Sequence, residues 1–176
     1  MNDLTRRQLL KAAPALALAI AATLRLGTGD AAGADIAVEG GPYHQLYARA
    51  GLEIIKRAGW ARFVQLNIHT ISLNYDGVHG AELRPNTHSS RGTILLSPRF
   101  ATNPEVAASL ILHEAVHQSL WNEGIPNSFE HRIDLGWDGE VTGVWVHEWA
   151  ASLAEEVFCQ AAGFRRRAYR RPEHWR

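Results

Sequence analysis

The chain has 176 residues, 46% of them hydrophobic and 20% charged, with a formal net charge of zero. That length suits one domain with a core of its own, and the neutral balance excludes the basic footprint of a nucleic-acid-binding protein. Cys159 is the single cysteine, so no intramolecular disulfide can form, and it reads as a small buried hydrophobe.

Residues 1–34 are expected to be an export signal. Arg6 and Arg7 precede an Ala/Leu-rich run from Ala12 to Leu24. That run is shorter than the about 20 residues a membrane-spanning helix needs, and it fits the apolar region of a signal peptide. Ala32-Gly33-Ala34 supplies an A-x-A cleavage pattern. The stretch TRRQLLK, from Thr5 to Lys11, resembles the twin-arginine (Tat) signal, with Leu9 where that signal usually carries Phe. The resemblance implies transfer by the Tat export machinery in the folded state and a periplasmic or extracellular destination. It also implies no stable membrane anchor after cleavage, and a single mature domain over residues 35–176.

Helical spacing of Leu46, Ala50, Leu52 and Ile55 predicts a helix over 42–58, with Pro42 in its first turn and Gly59 at its end. Alternation at Val64, Leu66, Ile68, Ile71 and Leu73 predicts a strand over 62–73. Asn74-Tyr75-Asp76-Gly77 then reads as a hairpin turn, with 78–83 as the return strand. Residues 84–92 are a loop by composition, and TILLSP, 93–98, is a short strand. A helix follows from Asn103-Pro104-Glu105: Asn103 caps, Pro104 fits the first helical position, and Glu105 complements the dipole. Gly124 and Pro126 stop it. A second long helix is expected over 141–162, ended by Gly163.

The first of these helices carries His113-Glu114-Ala115-Val116-His117 in an apolar run. Val106, Leu110, His113 and His117 share one face, so the two imidazoles are neighbours one turn apart. Charged and imidazole groups are costly to bury unless something compensates them. At i and i+4 two imidazoles can reach one Zn²⁺ at about 2.0–2.1 Å. Glu114, to one side of the pair, is placed to act as general base on a water activated by that ion.

A catalytic zinc site needs a third protein ligand, and several residues compete for it. Glu148 stands among Trp145, Val146, Trp149, Ala150 and Ala151, an apolar setting that a metal would explain. Glu123 has the third-ligand spacing of metzincins, but Leu120 stands where their pattern has Gly, and Glu123 where it has His. His131, His147 and Asp134 complete the set.

H-E-x-x-H followed by Glu148-x-x-Ala151, 31 residues after His117, resembles the zincin superfamily of metallopeptidases, and within it the gluzincins. The resemblance covers the segment from strand 93–98 through helix 141–162. It implies one Zn²⁺ per chain held by His113, His117 and Glu148, with Glu114 as general base. The implied fold is α+β and zincin-like. It has a small, twisted, mostly antiparallel sheet packed on the H-E-x-x-H helix and on the second long helix. The resemblance implies a peptide or protein substrate, docked along the strand before the first helix. Many gluzincins carry an Asp four residues after the glutamate ligand to orient the first histidine; here that position is Ser152, and Glu155 is the carboxylate available instead. Tyr75, Tyr169 and His131 are the candidates for stabilising the oxyanion.

The function expected is that of an exported zinc metallopeptidase. The alternative is a non-catalytic zinc-binding or interaction protein that keeps the ligands. Trp121, Trp137, Trp145 and Trp149 are expected to build the core between the two helices. The six arginines after residue 164 read as a solvated terminus.

Overall fold

A computed structural model describes residues 35–76, 80–86, 89–99, 103–134 and 140–164. The expected signal segment, Trp137, Tyr169 and the Arg-rich terminus lie outside these residues. In chain order the elements are β1 (Ala37–Glu39), α1 (Pro42–Arg57), α2 (Ala61–Asn67), β2 (Ile68–Ser72) and β3 (Ala81–Arg84), then β4 (Gly92–Leu96), α3 (Pro104–Asn122), β5 (Arg132–Asp134), β6 (Glu140–Thr142) and α4 (Gly143–Ala162). The described residues are thus α+β, with four helices, one four-stranded sheet and a two-stranded β5–β6 ribbon. No helix among them is long and apolar enough to cross a membrane.

The main sheet has the order β1-β2-β4-β3. β1 and β4 both run parallel to β2, and only β3 is antiparallel, to β4. This corrects two expectations. The sheet is not mostly antiparallel, and the strand before the H-E-x-x-H helix is internal rather than an edge. The reason lies in the side chains. β4 carries the buried Ile94 and Leu96, which suit a strand flanked on both sides. β3 exposes Glu82 and Arg84, and charged residues belong on an edge. The expected hairpin between 62–73 and 78–83 is also corrected, because β2 already has β1 and β4 as neighbours and β3 pairs with β4 instead.

Residues 61–67 are helical rather than extended. Phe63, Val64 and Asn67 are buried while Leu66 is 45% exposed. That is the period of a helix, which the alternation of Val64, Leu66 and Ile68 concealed. Asn67 then joins a polar chain in which Asn122 donates to its side chain at 3.1 Å and to the Ser90 carbonyl at 2.8 Å, tying the end of α3 to α2.

α3 packs against β3 and β4 and is also contacted by α1, α2 and α4. Its first turn follows the expected chemistry: the Asn103 side chain accepts from the Val106 amide at 2.8 Å, with Pro104 next. The crossing of α1 over α3 depends on Gly51. A Cβ there would lie 2.9 Å from the Ala108 nitrogen and 3.2 Å from the Ala107 Cβ. α4 starts on Thr142, whose hydroxyl accepts from the Trp145 amide, and ends at Gly163 in the left-handed region, φ 79°. Replacing Gly51 by Val should force α1 off α3 and lower the unfolding free energy by about 1–3 kcal/mol. Denaturant unfolding followed by circular dichroism measures this; an unchanged midpoint would show that the crossing is not tight.

Candidate metal centre

Where α3 meets α4, three side chains from the two helices converge. His113 and His117 stand one turn apart on α3, their ring centroids 4.9 Å apart. Glu148 comes from α4. Its carboxylate places Oε2 3.5 Å from His113 Nε2 and Oε1 3.3 Å from His117 Nε2. Ligand atoms of the three residues all lie within 4.8 Å of one another, so the group could hold a metal ion. Two atoms each about 2.05 Å from a tetrahedral ion are about 3.3 Å apart, close to the observed separations.

A hydrogen bond orients His117, and a buried carboxylate faces the Nδ1 of His113. His147 Nε2 lies 2.7 Å from the Ile125 carbonyl, which can only accept, so Nε2 carries the proton. Burial pushes the His147 pKa down to about 4, against the hydrogen bond to that carbonyl, so the ring is neutral near pH 7. Its Nδ1 is then an acceptor, 3.0 Å from His117 Nδ1, and His117 donates to it. This leaves a lone pair on His117 Nε2, aimed at a carboxylate oxygen. Two acceptors face each other there unless a proton or a metal ion sits between them.

The Nδ1 side of His113 faces a carboxylate at ion-pair distance. Its Nδ1 lies 3.6 Å from Glu155 Oε2, and Glu155, 1% exposed, accepts a hydrogen bond from the Ser109 hydroxyl. Burial works against a charge on His113, but Glu148 and Glu155 outweigh it and raise its pKa to about 10. Burial likewise opposes ionisation of Glu148, yet its bonds to His113 and His117 hold its carboxyl well below the usual range. The group is therefore built to surround a positive charge.

The loop after α3 supplies part of this frame. The Gly143 amide donates to the His131 carbonyl at 2.8 Å and the Val144 amide to the Ser128 carbonyl at 3.3 Å. A Cβ on Gly143 would lie 2.0 Å from the Pro126 carbonyl oxygen, so only glycine lets the loop lie this close to the start of α4. That docking carries the Ile125 carbonyl to His147.

The other competitors for the third position are not in the group. Glu123 caps α3 and is exposed. His131 is half-buried beside the start of α4. His147 touches His117 but spends both nitrogens on orienting it. The Asp134 side chain lies outside the described residues. Glu114 is buried, 6% exposed, and its charge acts on both His113 and Tyr75. The Tyr75 phenol is held above its ordinary pKa by desolvation, by a hydrogen bond to Glu82 and by the Glu82 and Glu114 charges. The positioning roles of His147 and Glu155 were not both legible: Glu155 stands seven residues after Glu148 on one helix face, whereas nothing in the spacing marks Ile125 as the anchor of His147.

Trp145 and Trp149 correct another expectation. They are partly buried and stand outside the hydrophobic core of the described residues. Small residues of α4 (Ala150, Ala151 and Ala154) take the core positions instead, with Phe158.

Comparison with protein-family models, with curated proteins and with solved structures finds no match to this chain. The functional reading therefore rests on the geometry.

If this hydrogen-bond frame orients metal ligands, His147→Phe and Glu155→Gln should each weaken metal affinity by about 10- to 100-fold while leaving the fold intact. Competition against a chromophoric chelator measures it. Parent-like affinity in both variants would mean that the frame serves packing alone.

Proposed function

We propose that the chain is an exported zinc-dependent metallopeptidase. The observation that carries this reading is the convergence of His113, His117 and Glu148 with both imidazoles oriented so that Nε2 faces the carboxylate. Two imidazole nitrogens and one carboxylate oxygen match the donor set of hydrolytic zinc sites, which keep a fourth position open. His113, His117 and Glu148 would hold a zinc ion, which would supply Lewis acidity at the site.

The chain's own residues do the rest. Glu114 sits next to His113 on α3, takes the proton from the attacking water and returns it to the departing amine. Its burial, shared with Leu112, Ala115 and Val116 around it, keeps that carboxylate in a low-dielectric setting where such proton transfer is effective. Tyr75 and His131 are the candidate donors to the developing oxyanion among the described residues. The outer edge of β3 can accept an extended peptide by strand addition. It replaces β4 in that role. The Tat-like segment supports export in the folded state, a route that suits a chain loaded with its metal before transfer.

Glu114→Gln should keep the zinc and lower peptide turnover by at least about 100-fold. Chelation of the parent should abolish turnover, and added zinc should restore it. Turnover that survives in Glu114→Gln would exclude the general-base role. A zinc-loaded parent that cleaves no peptide would favour the non-catalytic zinc-binding alternative.

A further inference from the structure

Beside the metal group, α4 presents two indoles. The Trp145 and Trp149 rings are stacked, with centroids 5.8 Å apart and an interplanar angle of 7°. They are four residues apart, hence neighbours on one helix face. Both are partly buried, and neither belongs to the hydrophobic core formed by the described residues. The core positions of this helix fall instead on Ala150, Ala151, Ala154 and Phe158. Glu148 lies within the same turn, three residues after Trp145 and one before Trp149, and its side chain is 33% exposed. Successive helical positions differ by about 100°, which puts Glu148 about 60° around the axis from Trp145, on the flank between the core and the indole face. The carboxylate of the metal group and the indole pair therefore open on adjoining strips of one helix.

Two large, flat, apolar side chains left partly in water are unfavourable by area alone, since a tryptophan buries 150–250 Å² when covered. Their parallel arrangement aligns both planes into one flat surface that a ring can cover. Resting on the peptidase reading, we infer that Trp145 and Trp149 form a subsite that selects a large aromatic side chain beside the scissile bond of a peptide substrate. The occupant follows from the neighbouring chemistry. A peptide carbonyl at the metal group carries its adjacent side chains within a few ångströms, the separation of one helical turn. Aromatic rings stack on indole faces with centroids 4.5–7 Å apart, as the two indoles do with each other.

The test is a digest of a mixture of synthetic peptides, balanced in composition, by the zinc-loaded chain. Mass spectrometry reads the residues that flank each cleaved bond. A matched peptide pair differing only by Phe or Ala at the selected position then gives kcat/KM. The parent should enrich Phe, Tyr and Trp at one flanking position and favour the Phe peptide by at least about ten-fold. Trp149→Ala and Trp145→Ala should bring that ratio towards one, largely through KM, with zinc content and turnover of the Ala peptide unchanged. Trp149→Phe, which keeps a ring, should retain the preference. Cleavage by the parent without aromatic enrichment would overturn the inference and leave the peptidase reading standing, whether or not the variants fold. So would a ratio that persists in both alanine variants. No cleavage of any peptide by the parent would overturn both.

Discussion

The structure turns on a problem of charge burial. α3 and α4 meet through two imidazoles and two carboxylates, and most of these groups are shielded from water. A pair of carboxylates in such a place demands a positive charge between them. Without a metal the proton on His113 provides it, which is why that imidazole is held so far above its ordinary pKa. A metal ion among His113, His117 and Glu148 could answer the same demand.

Much of the rest of the fold keeps that junction in register. Gly51 lets α1 lie close on α3. Asn122 ties the end of α3 to α2 through Asn67. The loop from Ile125 to His131 is held on the first turn of α4 by Gly143 and brings a carbonyl to His147. Ser109, one turn before His113, holds Glu155. Each contact is of an ordinary kind. Together they place the Glu148 oxygens within a few tenths of an ångström of the spacing from each imidazole Nε2 that a small tetrahedral ion takes.

The two long helices were legible because their signals are local. Asn103, Pro104 and Gly163 mark ends by backbone chemistry that needs no tertiary context, and the i, i+4 histidines fall on one face whatever surrounds the helix. The small elements were not. Residues 62–67 satisfy a two-residue alternation and a helical period at once, and packing of Phe63 and Val64 into the core decides for the helix. Strand order depends on which edges remain free, so Asp76-Gly77 signalled a hairpin while β2 was claimed by β1 and β4. The tryptophans misled for a related reason. Hydrophobicity suggested the core, but helical phase turns Trp145 and Trp149 away from it and gives those positions to alanines. His147 was read as a competing ligand because sequence does not show that a carbonyl 22 residues earlier takes its Nε2 proton.

Metal stoichiometry tests the central claim most directly. The chain is to be purified without a His tag, offered zinc, passed through a desalting column and analysed by elemental mass spectrometry beside His117→Ala and Glu148→Ala. The expected result is about one zinc per parent chain, none in His117→Ala and a depleted content in Glu148→Ala, with all three folded. A parent chain that binds no zinc, or a Glu148→Ala variant that holds it as well as the parent, would contradict the assignment.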